Sequence, residues 1–496
     1  MATSALRDAV HGTARDSVAL EDATRQVTFG ELNALIEEEG AWLAACGERF
    51  ALLADNGIGW AVTDLALHLR DLVTVPLPGY FTAQQVQHVI DDAGIDCLLT
   101  DEPERVRGML GGWRCSGISD RTALTMFCRQ LDASARRPLP AGTVKVTYTS
   151  GSTAAPRGVC LGAGDLEAVA RSLAGATAQL GVERHLCLLP LATLLENVGG
   201  VYAPLLAGAR TILPSAAVTG ISYARPDVAR VLGCITGARP GSLILVPELL
   251  KLLVASAERG WPPSSSLRFV AVGGASVSVE LLERAEAVGL PVYEGYGLSE
   301  CASVVCLNTP GARRPGSVGR SLPHAQVRVG DDGELVVSGT TMRGYLGDPP
   351  RRPGEEWATG DLGEIDADGY VYVHGRRGNM YITSFGRNVA PEWVEREILV
   401  EPAIGHVLVH GEARPYAVAI VSASRDSADA ATIDRAIRAA NERLPEYAQV
   451  SRWIRAPEPF SLDNGLLTSN GRLRRRQVLE RHGVLLDVLY REEIAS

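Results

Sequence analysis

The stretch "TYTSGSTAAPRGV", residues 147–159, follows an apolar run and crowds hydroxyls and small residues into a tight loop. Thr149, Ser150, Ser152 and Thr153, with Gly151 among them, offer hydroxyls and successive backbone N–H groups that can wrap a polyphosphate, and Arg157 adds positive charge. The Walker pattern GxxxxGK[ST] is absent. A Ser/Thr/Gly run is a plain turn as often as a phosphate loop, so its meaning rests on what accompanies it.

Four segments accompany it. "AVGGAS", residues 271–276, ends an apolar run in Gly273, Gly274 and Ala275, leaving bare backbone for a flat ring to lie against. "YEGYGLSE", residues 293–300, supplies Glu294, Gly295, Tyr296, Gly297 and Ser299; Tyr296 can stack on a base, and Glu300 can hold Mg²⁺ beside phosphates. "ATGDLG" carries Asp361, whose two oxygens suit the two hydroxyls of a ribose. "GRRGNMYITSFGRN" brings Arg376 and a loop around Gly386. Singly, these are a core tyrosine, a turn aspartate and a helix-start acid. In this order, nucleotide and magnesium chemistry is the better account.

The elements that must position these residues read as α/β. Apolar runs such as "FALLADNG", "VTVPLP" and "DCLLT" alternate with helical patterns such as "AVTDLALHLRD" and "TAQQVQHVIDDAG", which implies βαβ units and parallel sheets. The alternation resumes from "VKVTYT", through "HLCLLPL" and "SLILV", to "PVYEGYG". Ligands of open α/β sheets sit beyond the carboxyl ends of the strands, where the glycines and hydroxyls fall. After residue 331, short β segments with Asp-Gly turns take over, then an α+β segment with the amphipathic helices "PEWVEREILV" and "ATIDRAIRAANERL". The expected architecture is a large α/β domain with a β subdomain over residues 1–375, a polar linker at 376–379, and a small α+β domain over 380–496.

Composition narrows the classes. The chain has 496 residues, enough for more than one core, and a net charge of −10, which argues against general affinity for nucleic acid or anionic membrane. No run reaches the roughly 20 apolar residues of a membrane span. The start lacks the order of a secretory signal, and the nine cysteines are scattered without a CxxC pair, so a cytoplasmic protein is expected. Of 48 basic residues only Lys145 and Lys251 are lysines, leaving 46 arginines.

With these motifs, from "VTFGEL" at residues 27–32 to the "NGR" ending at Arg472, the chain resembles the ANL superfamily of adenylate-forming enzymes, nearest its acyl-CoA synthetase branch. The resemblance implies a mobile C-terminal domain and a two-step reaction: a carboxylate attacks the α-phosphate of MgATP to give an acyl-adenylate and pyrophosphate, and a thiol such as that of coenzyme A then displaces AMP. It implies that Thr149–Thr153 and Arg157 are the phosphate loop, with Glu300 and Thr153 at magnesium. Gly273–Ala275 and the segment around Tyr296 form the adenine pocket, Asp361 anchors the ribose, and Arg376 contacts ribose and phosphate. Gly378 takes the hinge position, and the loop of Ser384, Phe385, Gly386, Arg387 and Asn388 enters for the thioester step.

Three positions depart from the family's pattern: Ala154 replaces a glycine of the phosphate loop, Gly378 an aspartate or lysine, and Arg472 the lysine that bridges carboxylate and α-phosphate. Arginine is a planar fork, not a compact ammonium, yet carboxylate and phosphate both accept bidentate bonds. In a chain almost free of lysine, retained function is the favoured reading. Arg474–Arg476 are read as a solvated or domain-docking surface.

"LLPLATLLENVGG" resembles the substrate side of acyl-CoA synthetases, which places Thr193, Leu194, Asn197 and Gly200, with Gly274, in the acyl pocket. An aliphatic acid is expected, with an aryl acid next. An acyl carrier protein, an amine or an inorganic nucleophile such as nitrite stands as the alternative acceptor, and a nucleotide-binding homologue without turnover as the alternative class.

Overall fold

The computed structural model describes residues 4–131, 136–149, 157–221, 226–384, 387–424, 428–468 and 471–491. Two large mixed sheets dominate the N-terminal lobe. In the eight-stranded sheet, Arg49–Leu53 pairs in parallel with Val73–Pro76 and Cys97–Thr100, and Thr143–Thr149 joins through Thr74 opposite Lys145. In the nine-stranded sheet, Ser242–Leu245, Phe269–Val272 and Val292–Leu298 run parallel side by side.

One hydrophobic core joins the two sheets. Leu52 and Leu99 from the first share it with Phe269, Val304 and Leu307 from the second, and with the helices Ile58–Leu69 and Ala163–Thr177. Ten of the twelve residues of Ile58–Leu69 are buried, because the helix has protein on every side. A helix so placed has no use for a polar face, which is why its sequence reads as nearly continuous apolar text.

"HLCLLPL" forms a strand only over Arg184–Leu186, shorter than its apolar run suggests. The chain then leaves the sheet, and Asn56 holds the departing segment by donating Nδ2–H to Leu189 O (2.8 Å) and accepting from Leu191 N (2.8 Å). This excursion builds one wall of the cleft described below.

A four-stranded antiparallel sheet follows, in the order Ala325–Val329, Glu334–Gly339, Trp357–Ile365, Val371–Arg376. The turn between its last two strands is an Asp-Gly turn: Asp366 Oδ1 accepts from the backbone N–H groups of Asp368 and Tyr370, and Gly369 takes φ +82°. A bulge between Leu362 and Gly363 then shifts the register set by that turn and puts Asp361 opposite Arg376.

The C-terminal lobe has its own cores on the two faces of the sheet Ile404–His410, Ala417–Ala423, Val450–Arg455. Val407 and Val409 face the helices Pro391–Leu399 and Ala430–Glu442, whereas Leu408, Val418 and Ile420 face the helix Arg475–Arg491. Strand side chains alternate between faces, so both faces must be covered. The arginine knot accordingly opens a helix, with Arg476 solvated as expected and Arg475 drawn into the lobe. Arg475 donates Nη1–H to Val409 O (2.8 Å) and pairs with the buried Glu395, while Arg476 pairs with Glu480 at 2.7 Å on the surface.

Candidate active site

A cavity of about 1670 Å³ opens between the lobes, bounded by carboxyl ends of strands in the nine-stranded sheet and by the C-terminal lobe. Gly273, Gly274 and Ala275 border it just past the strand Phe269–Val272, with Gly274 at φ +87°, where a side chain would be strained. Tyr296 donates its hydroxyl hydrogen to Asp361 Oδ2 (2.7 Å), and Arg376 Nε lies 2.9 Å from Asp361 Oδ1. Arg376 Nη1 also donates to Thr359 O (2.9 Å), which fixes the guanidinium beside the carboxylate. Burial raises the pKa of Asp361 despite Arg376 and Tyr296, and burial with the Asp361 charge raises that of Tyr296.

Arg472, in the last loop of the small lobe, borders the same cavity. Its surface is open to the cleft, but the walls on either side withdraw it from bulk water. That desolvation and the nearby Arg376 push its pKa down, against the attraction of Asp361 and Tyr296. The mouth of the cleft therefore holds one aromatic ring, one carboxylate and two guanidinium groups in mutual electrostatic contact.

Glu300 borders the cavity and accepts from Tyr345 Oη at Oε1 (2.8 Å). Arg157 stacks on the other side of that tyrosine, 3.6 Å from the ring centroid, and pairs with Asp348 at 2.5 Å. Tyr345 thus links two residues that sequence reasoning placed at the phosphates, although Arg157 itself does not line the cavity. Ser150, Gly151, Ser152, Thr153 and the side chain of Thr149 lie outside the described residues, as do Phe385 and Gly386.

Glu294, Gly295, Gly297 and Ser299 all border the cavity, but they differ in what they do. Glu294 is buried and accepts from Val277 N (3.2 Å), and burial lifts its pKa to about 7. A Cβ on Gly297 would fall 1.7 Å from Ser303 O, so glycine there serves the close approach of two strands.

Beyond the nucleotide end the lining turns apolar. Thr193, Leu194, Leu173, Ile244 and Leu307 contribute. A Cβ on Gly199 would come within 2.7 Å of Ile244 Cδ1 and 3.8 Å of Leu173 Cδ1, which shows how closely these walls approach. Asn197 and Gly200, expected in this pocket, do not line it. Asn197 accepts from Lys145 and donates Nδ2–H to Asp64 (2.8 Å), and Gly200 backs onto Glu196, Cys187 and His185. The π-helical turn Asn197–Tyr202 rotates both inward, a change of phase invisible to a 3.6-residue pattern.

Ser384 and Arg387 are exposed and lie off the cavity; Ser384 N donates to Arg414 O (2.9 Å) and Arg387 N to Thr383 Oγ1 (3.1 Å). Gly378 sits in an exposed turn, with nothing within 4 Å of where a Cβ would be. One functional contact escaped the sequence reading. Lys251, on the helix Pro247–Ala257, crosses the cleft and donates to Leu399 O (2.7 Å), Glu401 O (3.3 Å) and Ile404 O (2.9 Å), capping the helix Pro391–Leu399 of the other lobe. Arg443 adds a cross-lobe pair with Glu280 at 3.2 Å. The available signal was compositional: lysine survives at only two positions in this chain.

A two-sheet lobe facing a small α+β lobe, with a glycine strip, a tyrosine and an aspartate–arginine cluster between them, defines the adenylate-forming class of enzymes. The chain belongs to the AMP-binding enzyme family: that family's model matches residues 6–346, and the model of the AMP-binding enzyme C-terminal domain matches residues 379–494. The chain is 28% identical to a 2-succinylbenzoate–CoA ligase of Bacillus cytotoxicus over 74% of this chain and 76% of the relative. It is 25% identical to a long-chain-fatty-acid–CoA ligase of Mycobacterium bovis over 90% of this chain and 88% of the relative. Its fold is similar to that of the O-succinylbenzoate coenzyme A synthetase of Bacillus subtilis in complex with ATP and magnesium ion, with a TM-score of 0.73 and 22% identity, covering 96% of this chain and 98% of that one. Among the described residues, no helix is long and apolar enough to cross a membrane.

Proposed function

We propose that the protein activates an apolar monocarboxylic acid with ATP and transfers the acyl group to coenzyme A. The observation that carries this reading is the continuity of one cavity: its mouth holds Tyr296, Asp361, Arg376 and Arg472, and its far wall holds Leu173, Ile244 and Leu307. In the first step a carboxylate oxygen bonds to the α-phosphorus, the bridging P–O bond breaks, and pyrophosphate leaves. In the second the thiol sulfur bonds to the acyl carbon, AMP leaves with the bonding pair, and the thiol proton passes to solvent.

The donor set fits the nucleotide. The backbone of Gly273–Ala275 and the ring of Tyr296 flank the base, and Asp361 retains acceptor capacity for ribose hydroxyls beyond its bonds to Tyr296 and Arg376. Arg472 is a cation that the small lobe brings beside Asp361, so it is the residue suited to hold the attacking carboxylate against the α-phosphate. Thr149, Ser150, Gly151, Ser152, Thr153 and Arg157 cradle the β- and γ-phosphates. Glu300 and Thr153 are the residues that would hold Mg²⁺, which supplies charge neutralisation for the leaving pyrophosphate.

Arg472 at the cleft, with Ser384 and Arg387 away from it, supports reading this arrangement of the lobes as that of the adenylating step. Rotation about residues 376–379, centred on Gly378, would exchange the two faces of the small domain formed by residues 380–496. The apolar side chains Leu173, Ile244 and Leu307 in the lining favour an acid with a single carboxylate and an aliphatic, then an aryl, body. The nine cysteines, free in the structure, support a cytoplasmic setting, and the acyl reading supports a place in fatty acid metabolism.

Pyrophosphate release over a panel of aliphatic, aryl and dicarboxylic acids tests the first step. Medium and long aliphatic acids are expected to give the highest kcat/KM; release with amino acids or dicarboxylates alone would overturn the substrate reading. Adding coenzyme A should produce AMP and thioester in equal amounts, whereas thioester formation only on a carrier protein would reassign the acceptor.

A further inference from the structure

A second cluster of reactive side chains lies behind the acyl wall, one layer in from the cavity. His185 comes from the strand Arg184–Leu186, Cys187 follows it, and Glu196 precedes the π-helical turn Asn197–Tyr202. Cys187 and Glu196 are fully buried, and His185 is 3% exposed. One ligand atom from each lies within 4.8 Å of the other two.

Cys187 Sγ donates to Gly200 O (3.4 Å), and Glu196 is drawn toward His185, Cys187 and the Leu189 backbone, yet three polar atoms of this cluster lack a well-formed hydrogen bond. Neither carboxylate oxygen of Glu196 has a hydrogen-bond partner of good geometry among the described residues, and neither has His185 Nε2. His185 Nε2 and Glu196 Oε1 stand 3.5 Å apart, long for a hydrogen bond but close to the edge between two ligands of one tetrahedral ion. Burying such groups without partners is costly, so their convergence needs a cause.

Gly200 shows where they converge. A Cβ on this glycine would fall 2.8 Å from Glu196 Oε1, 2.9 Å from Cys187 Sγ and 3.0 Å from His185 Nε2. The three atoms therefore converge on the face of Gly200, where a side chain would crowd them. An ion would sit farther from the Gly200 Cα than a Cβ would, toward the three atoms, within reach of zinc–ligand bonds of about 2.0–2.3 Å after small inward shifts. The outer contact is in place: His185 Nδ1 lies 2.8 Å from Ser242 Oγ, so an Nδ1–H donated to that hydroxyl leaves the Nε2 lone pair facing the centre.

We propose that His185, Cys187 and Glu196 bind a divalent transition-metal ion of the zinc class over Gly200, separate from the magnesium of the nucleotide site. The mixed nitrogen, sulfur and oxygen set suits a borderline ion and not magnesium, which demands oxygen ligands. A thiolate and a carboxylate together balance its charge, so the buried centre is neutral. His185 and Ser242 border the cavity, which supplies the path of entry and room for a water as fourth ligand. The ion would lock the strand end to the π-turn, and so fix the wall that carries Thr193 and Leu194.

The experiment uses full-length protein purified without an immobilised-metal column and dialysed against a weak chelator. Elemental analysis should find about one zinc-class ion per chain. Cobalt(II) added to the apo protein should give a thiolate-to-cobalt charge-transfer band that is lost in Cys187→Ala. Zinc added to the apo protein should raise Tm, and this rise should vanish in Gly200→Ala, where a methyl crowds the face on which the three ligands converge while all three remain. A wild-type protein that retains no ion, shows no cobalt band and gains no Tm overturns the proposal, whatever the variants do. Retention of the ion by both variants overturns the ligand assignment.

Discussion

The two lysines divide the molecule into an interior and a seam. Lys145 is buried in the large lobe, where its ammonium bonds to Asp64 Oδ1 (2.7 Å), Asn197 Oδ1 and Tyr202 Oη (3.1 Å), and Asp64 takes two further bonds from Asn197 and Tyr202. Lys251 has as many hydrogen bonds, but all go to carbonyl oxygens of the opposite lobe. The first is a closed network with its own counter-ion, made once when the lobe folds. The second is a cation on the negative end of a helix, which can let go without leaving a buried carboxylate behind. A residue type that the chain discards elsewhere thus serves as a permanent tie in one place and a releasable one in the other.

The largest effect that would break this contrast is in the interior. Lys145→Met leaves Asp64 buried without its cation and should cost the large lobe about 3–5 kcal/mol in denaturant unfolding. An unchanged midpoint would deny Lys145 its anchoring role. Next, at the seam, Arg472→Ala should slow pyrophosphate release by roughly 10²–10³-fold. Transfer to coenzyme A from preformed acyl-adenylate should stay within a few-fold, and Arg472→Lys should restore much of the first step. Equal losses in both half-reactions would show that Arg472 only supports the fold.

The third effect depends on pH. Glu294, in the interior beneath the cleft, has its carboxyl raised to about 7 by burial, so the folded protein holds the proton more tightly than the unfolded chain does. The stability of the neutral carboxyl is fully present below about pH 4.5 and is lost as pH rises through 7, a change of at most about 3 kcal/mol. Glu294→Gln should remove this part of the slope and leave the part due to Glu395, which burial also raises to about 7; an identical slope in the variant would place the titrating group elsewhere. The smallest effect sharpens the contrast. Lys251→Met should destabilise the adenylating arrangement by about 1–2 kcal/mol, slowing pyrophosphate release about tenfold while leaving thioester formation equal or faster. Loss of global stability, with no difference between the two half-reactions, would make Lys251 another permanent tie.

Much of the fold was legible because its cause is local. Strands buried on both faces read as unbroken apolar runs, and Asp-Gly turns announce hairpins, so the sheets of both lobes follow from the text. The residues that ring the cleft mouth were legible because they sit at strand ends in a fixed order. Asn197 and Gly200 were misplaced because a π-helical turn shifts side-chain phase without any signature in residue type. Within the basic knot, Arg475 was misread for a similar reason: only the uncovered face of a sheet, with Leu408, Val418 and Ile420, shows that a helix beginning at Arg475 must lie across it.

By itself, then, the sequence determined the element order, the α/β class and the set of groups able to handle a nucleotide, since these depend on neighbours along the chain. Tertiary structure alone decided that Asp361 faces Arg376, that Lys251 reaches the other lobe, that Arg472 arrives at the cleft, and that His185, Cys187 and Glu196 converge on the face of Gly200. The reason is physical. Such contacts join residues distant in sequence, and their geometry follows from how whole sheets and helices pack, which no local pattern encodes.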